Sequence, residues 1–124
     1  MRDHRSLRAW QEAHQLARLG LRLARDNWRP HAAAAFSQLQ RASLSVSLNI
    51  AEGYARRTRT QFHYGLTVAY GSAVESAEIL NLLVEEGVIE RGKGLEAIRI
   101  ATACQQLLIG LMRRYGKGKP RPAE

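Results

Sequence analysis

Arg18, Arg22, Arg25 and Arg29 recur at spacings of four, three and four, which puts all four guanidinium groups on one side of a helix. Gln11, His14 and Gln15 continue that side toward the amino terminus. The stripe itself holds no acid, whereas ordinary solvated helices often interleave the two signs. Arg56, Arg57 and Arg59 form a second cluster, and Arg113, Arg114, Lys117, Lys119 and Arg121 a third. The chemistry these residues offer is phosphate capture, because the planar guanidinium fork donates paired hydrogen bonds to an oxyanion. Aromatics make up 6% of the chain, too few to interleave with the arginines as a base-stacking platform. The binding expected is therefore led by the nucleic-acid backbone, sensitive to salt and weak in sequence preference, for RNA or DNA. The plainer alternative is a solvated cationic face.

Catalytic chemistry finds little footing. His4, His14, His31 and His63 make no HExxH or other close metal pair, and Cys104 has no CxxC partner, so neither a metal nor a cofactor is expected. Ser43, Ser45 and Ser47 have no base at a useful local spacing and read better as short polar side chains at a tight helix–helix seam. No GxSxG, Walker A or GxGxxG sequence occurs. Cys104, between Ala103 and Gln105, reads as an inert packed thiol, and no catalytic residue is assigned.

The charge pattern fits a binding protein. The chain of 124 residues carries a formal charge of +8. Residues 1–59 hold 11 basic and 4 acidic side chains, residues 60–112 hold 3 and 6, and residues 113–124 hold 5 and 1. An asymmetric cation attracts polyanions, nucleic acid first. A single cysteine, an amino terminus without an apolar stretch and the lack of an apolar run near membrane-spanning length place the chain in the cytoplasm, away from membranes.

The elements that must position the arginines are helices. Aliphatic residues dominate and proline is confined to Pro30, Pro120 and Pro122, an all-α composition of one-domain size. Helix 1 is expected from a Ser6 cap to about Asn27, with Trp10, Ala13, Leu16, Ala17, Leu21, Leu23, Ala24 and Trp28 on its apolar side. Pro30 ends it by biasing Arg29 away from helical geometry. Helix 2 spans about His31 to Arg56, then a basic bend, Tyr54 to Thr60, where Thr58 or Thr60 caps helix 3 over about Gln61 to Glu86. Gly87 stops that helix, a second stop follows at Arg91-Gly92-Lys93-Gly94, and helix 4 runs from about Leu95 to Tyr115 with Ile98, Ala101, Gln105, Leu108 and Met112 on one side. Residues 1–115 are thus an antiparallel, up-and-down four-helix bundle, and residues 116–124 a disordered basic tail. Gly20, Gly65, Gly71, Ser72 and Gly110 inside helices point to close helix approach.

The stretch QRASLSVSLNIAEG, Gln40 to Gly53, has two readings. Ser43 to Ile50 alternate polar and apolar like a half-buried strand. At the helical repeat, Leu39, Ala42, Val46, Ile50 and Gly53 fall on one stripe and Leu44, Leu48, Ala51 and Ala55 on a nearly opposite one. The helical reading holds because Ala32 to Ala35 lead into it and no turn signal breaks Gln38 to Glu52. Two opposed apolar faces need two covers, one the bundle and the other a second subunit. Residues alone leave open which face is which. Between the stripes, Glu52 pairs with Arg56 at i+4 or joins Asn49 in a network between subunits with Arg41 or Arg57. Glu75, beside Gly71-Ser72, is expected to serve an interior or interface hydrogen bond.

Leu7, Trp10, QRASLSVSLNIAEG, Phe62, AYGSAVE (Ala69 to Glu75), Leu80 and the Glu86-Gly87 stop together resemble a family of small bacterial four-helix-bundle proteins. It includes the 23S rRNA intervening-sequence proteins and, among their relatives, the accessory variability determinants of diversity-generating retroelements. The similarity covers about Leu7 to Met112. It implies a protomer that assembles as a ring-like homopentamer. For the intervening-sequence members it implies rRNA association, inferred from gene location. For the retroelement relatives it implies a basic barrel that binds nucleic acid and a reverse transcriptase. Ser47 stands where the family commonly carries proline, and Gln61 where an acidic residue is common. The expectation is a non-enzymatic oligomeric scaffold associated with nucleic acid, and the alternative a protein–protein adaptor with no nucleic-acid role.

Overall fold

The computed structural model describes residues 3–115. Four helices make the fold: α1 (Arg8–Asn27), α2 (Ala33–Ala55), α3 (Arg59–Glu85) and α4 (Arg91–Arg114). Single 3-10 turns at His4–Ser6 and Pro30–Ala32 precede α1 and α2, and no strand occurs among the described residues. Packing across each seam pairs residues in opposite order. Gly20 of α1 abuts Ser43 of α2, Ser45 of α2 meets Ser72 of α3, and Gly94 of α4 abuts Val84 of α3. Asp26 and Lys93 share a hollow where α1 closes on α4. Neighbouring helices are therefore antiparallel and the four form a closed up-and-down bundle.

The period-2 look of Gln40 to Gly53 is overridden by the helix. Leu39, Val46 and Ile50 are wholly buried and Ala42 nearly so, while Leu44 and Leu48 stand exposed on the opposite side. Ile50 thus belongs to the bundle core and not to a subunit interface. Ser43 and Ser47 are buried with their hydroxyls donating back to the Gln40 and Leu44 carbonyls. That satisfies the polar atoms at a close seam.

Several boundaries differ from expectation. Ser6 does not cap α1: Asp3 caps the His4–Ser6 turn, and α1 begins after Leu7, which supplies no side-chain cap. The stop expected at Arg91–Gly94 is instead the first turn of α4, because Glu90 accepts hydrogen bonds from the backbone N–H of Gly92 and Lys93, both at 2.9 Å. Gly94 is required by packing, since a Cβ there would press into Val84 and Ile89. The real stop is Gly87, left-handed at φ 69°. Thr58 is the α3 cap, accepting from the Gln61 N–H, and Arg29 is extended as Pro30 requires.

The α4 core side lies one step around from that expected: Ala97, Ile100, Ala101, Cys104 and Leu108 are buried, whereas Ile98, Gln105 and Met112 are half-buried. Contrary to the expectation that no apolar run reaches spanning length, α4 is long and apolar enough to cross a membrane by length and composition alone. In the bundle the same helix supplies core residues and carries Glu96 and Arg99 outward. Leu21 and Trp28, expected on the core side of α1, are more than half exposed. Of the small residues within helices, Gly20 and Gly65 are tightly packed, whereas Gly71 and Gly110 face open space. The tail expected at 116–124, with Lys117, Lys119 and Arg121, lies outside the described residues.

Candidate nucleic-acid interface

Helix α1 presents Arg18, Arg22 and Arg25 outward as the spacing requires, but Arg29 lies beyond its end at Asn27 in extended backbone and so off the helical stripe, contrary to expectation; all four are exposed. The stripe is not free of acid, however. Asp26, next in sequence to Arg25, accepts its Nε–H at 2.8 Å, so side chains one residue apart swing together at the helix surface. The hydrogen bond from Arg25 holds the Asp26 carboxyl below its usual range, with smaller contributions from the charges of Arg25, Lys93 and Arg22. Arg18, Arg22 and Arg29 form no salt bridge among the described residues. Arg22 and Arg25 flank Trp28 and Leu21 along a shallow depression that reaches Gln40 of α2.

The second cluster meets Arg113 and Arg114, the described part of the third, at one pole of the bundle. The rings of Tyr54 and Phe62 are 5.8 Å apart and those of Phe62 and Tyr115 6.5 Å apart, which ties the α2–α3 bend to the end of α4. Arg56, Arg57 and Arg59 on the bend are exposed, as are Arg113 and Arg114 at the end of α4. Arg114 lies over the Tyr115 ring at 5.2 Å, a cation–π contact that fixes where its charge sits. Arg57 takes a left-handed backbone, φ 71°, which turns the chain between α2 and α3. The α1 row, apart from the start of the helix, runs along the side of the bundle toward the other pole, so the clusters make two basic surfaces and not one.

Next to the arginine row runs an apolar surface. Leu21 of α1 and Leu44 of α2 line one hollow with Ala17 and Arg41, and Leu44 and Leu48 line the next with Ser45 and Asn49. Leu44 is 49% exposed and Leu48 56%. This is the outer stripe of α2, extended onto α1 by Leu21, whose spacing alone points to the core.

The polar strip is organised within the protomer. Asn49 donates to the Ser45 carbonyl and hydroxyl at 2.8 and 2.9 Å, and the Ser72 hydroxyl of α3 donates to Ser45 at 2.9 Å. Glu52 takes the i+4 alternative, 3.5 Å from Arg56. Glu75 is exposed rather than interior, and accepts from the Gln38 amide across the α2–α3 seam.

One feature escaped sequence reasoning. Asn49, Glu52 and Arg56 from α2 and Gln61, Tyr64 and Gly65 from α3 line an open groove of about 360 Å³. Tyr64 is 69% exposed there. Its place off the Phe62–Leu66–Ala69 stripe, beside a glycine, was the available signal.

The sequence model of the 23S rRNA-intervening sequence protein family matches residues 5–110 of the chain. The chain belongs to this family. No match is found among curated proteins. The span shared with other 23S rRNA-intervening sequence proteins takes in the α1 arginine row, the apolar stripe and the Tyr64 groove, while Arg113 and Arg114 lie beyond it.

Proposed function

We propose that the protein is a non-enzymatic, homo-oligomeric cytoplasmic scaffold that associates with nucleic acid, rRNA foremost, through its basic surfaces. The observation that carries this reading is the exposed α1 row with Arg29 just beyond it: Arg18, Arg22 and Arg29 have no ion pair among the described residues. Guanidinium groups left to solvent on one side of a helix lose little on meeting phosphates and release counterions when they do. Assembly is supported by the apolar stripe of Leu21, Leu44 and Leu48 beside that row, which a second copy of the chain would cover. A ring, most simply the pentamer that the family resemblance implies, would repeat the arginine row once per subunit and sum modest contacts through multivalency.

The test is a titration of RNA and DNA binding against salt. Steep, linear weakening with the logarithm of salt concentration supports the reading, and binding that is absent at low salt removes it. The same apolar stripe favours a second reading, a protein–protein adaptor, for instance to a reverse transcriptase, in which the charge serves solubility. That reading takes over if the oligomer forms but neither polyanion binds.

A further inference from the structure

We infer that the α2–α3 groove is a pocket for one unpaired nucleobase, stacked on Tyr64, with flanking phosphates on Arg57 and Arg59. The inference rests on the nucleic-acid reading above and gives it a strand preference that the arginine row alone does not supply. The groove exists because Gly53 and Gly65 carry no side chains where the helices cross: a Cβ on either would meet backbone at 3.2 Å or less. Its volume of about 360 Å³ lies within the range of small-ligand sites, roughly 300 to 1,000 Å³. Tyr64 presents a 69%-exposed ring at its side.

The polar groups are divided as a base edge needs them. The Asn49 amide nitrogen is held by Ser45, which leaves its carbonyl oxygen as an acceptor. The Gln61 carbonyl oxygen is held by the Thr58 hydroxyl at 2.8 Å, which leaves its amide nitrogen as a donor. The Glu52 carboxylate is turned to Arg56, so its charge is partly neutralised. Arg57 and Arg59 do not line the groove but are exposed on the bend, next in sequence to the lining residues Arg56 and Thr60, and have no salt bridge among the described residues. A base within a duplex has both faces stacked and its pairing edge engaged, so only an unpaired nucleotide can enter.

The experiment compares a short fluorescein-labelled single-stranded RNA with a duplex RNA of equal length, by anisotropy, on the parent and Tyr64→Ala. Loss of one base–aromatic stack should weaken single-strand binding by about fivefold or more and leave duplex binding unchanged. A 5-iodouridine version of the single strand should crosslink to Tyr64 in the parent. If the parent binds but Tyr64→Ala loses nothing, or loses both strands equally, the pocket is wrong and the arginine reading stands. A Tyr64→Ala chain of smaller mass by light scattering also overturns it, since Tyr64 is then a subunit contact. A parent that binds neither RNA at low salt removes the nucleic-acid reading itself.

Discussion

Gly53 and Gly65 face each other where α2 crosses α3, with the Gly65 Cα 3.2 Å from the place a Cβ on Gly53 would occupy. A Cβ on Gly65 would stand 2.6 Å from the Asn49 carbonyl oxygen, and backbone cannot rotate out of the way as a side chain can. Gly65→Ala should therefore destabilise the fold by about 1–3 kcal/mol through overpacking. Gly71→Ala, with no atom within 4 Å of its Cβ, should be neutral or stabilising by up to roughly 1 kcal/mol. Thermal melts followed by circular dichroism separate the two, and the variants should move in opposite directions.

Leu48 and Ile50 are two residues apart and should fail in different ways. Ile50→Glu places a carboxylate in a wholly buried site and should cost the cooperative helical transition itself. Leu48→Glu alters a side chain 56% exposed, so the monomer should stay helical while light scattering reports a smaller particle than the parent. An unchanged particle mass for Leu48→Glu would remove this stripe from the assembly interface.

Replacing Arg18, Arg22, Arg25 and Arg29 together by Gln should weaken binding across all nucleic-acid sequences. The slope of log K against log salt should flatten by roughly 0.7 to 0.9 for each phosphate left without its arginine. Arg25 is engaged with Asp26, so its share of that change should be the smallest when the sites are changed singly. Equal binding by the quadruple variant and the parent at physiological salt would reduce the row to a solvated face.

Glu90 links α4 to pH. Hydrogen bonds from the Lys93 and Gly92 N–H groups hold its carboxyl below the ordinary range. A group with a lowered folded-state value stabilises the fold above its unfolded titration, near about pH 4.3 for glutamate, and that contribution disappears as pH falls through the folded value. Glu90→Gln should melt earlier than the parent at neutral pH, and the gap should close in acid. Melting curves at a series of pH values give the comparison directly.

Cys104 is wholly buried, and burial pushes its thiol up to about 12. The thiolate needed for disulfide exchange is then scarce at neutral pH. Ellman's reagent should leave the native protein unlabelled and label it fully in denaturant. Fast labelling of the native protein would mean that α4 opens on the time scale of the assay.

The bundle was legible because Leu39, Val46 and Ile50 keep one helical stripe through a segment that also alternates like a strand, and helix continuity decided between them. The start of α4 was not, since Gly92 and Gly94 look like a stop unless Glu90 is seen capping the backbone and Val84 is seen filling the space beside Gly94. Leu21 and Trp28 misled for a related reason. They continue the apolar side of α1 in sequence, yet Leu21 falls at the edge of the buried stripe and Trp28 lies past the helix end, so both stand on the surface. The arginine row could be read from spacing alone, but its pairing with Asp26 could not, because neighbours in sequence point apart on an ideal helix and meet only through long side chains. The groove beside Tyr64 needed two glycines from different helices to coincide.

An even number of antiparallel helices has a practical consequence for anyone attaching something to this chain. Leu7 and Tyr115, the flanks of α1 and α4, open at the same pole as the Arg56–Arg59 bend. A label attached at Leu7 or Tyr115 therefore emerges beside those arginines and competes with whatever they bind. The turn at Gly87 sits at the far pole, among Glu85, Glu86 and Glu90, with no atom near its Cβ position. A reporter inserted there would leave the Arg56–Arg59 bend unobstructed.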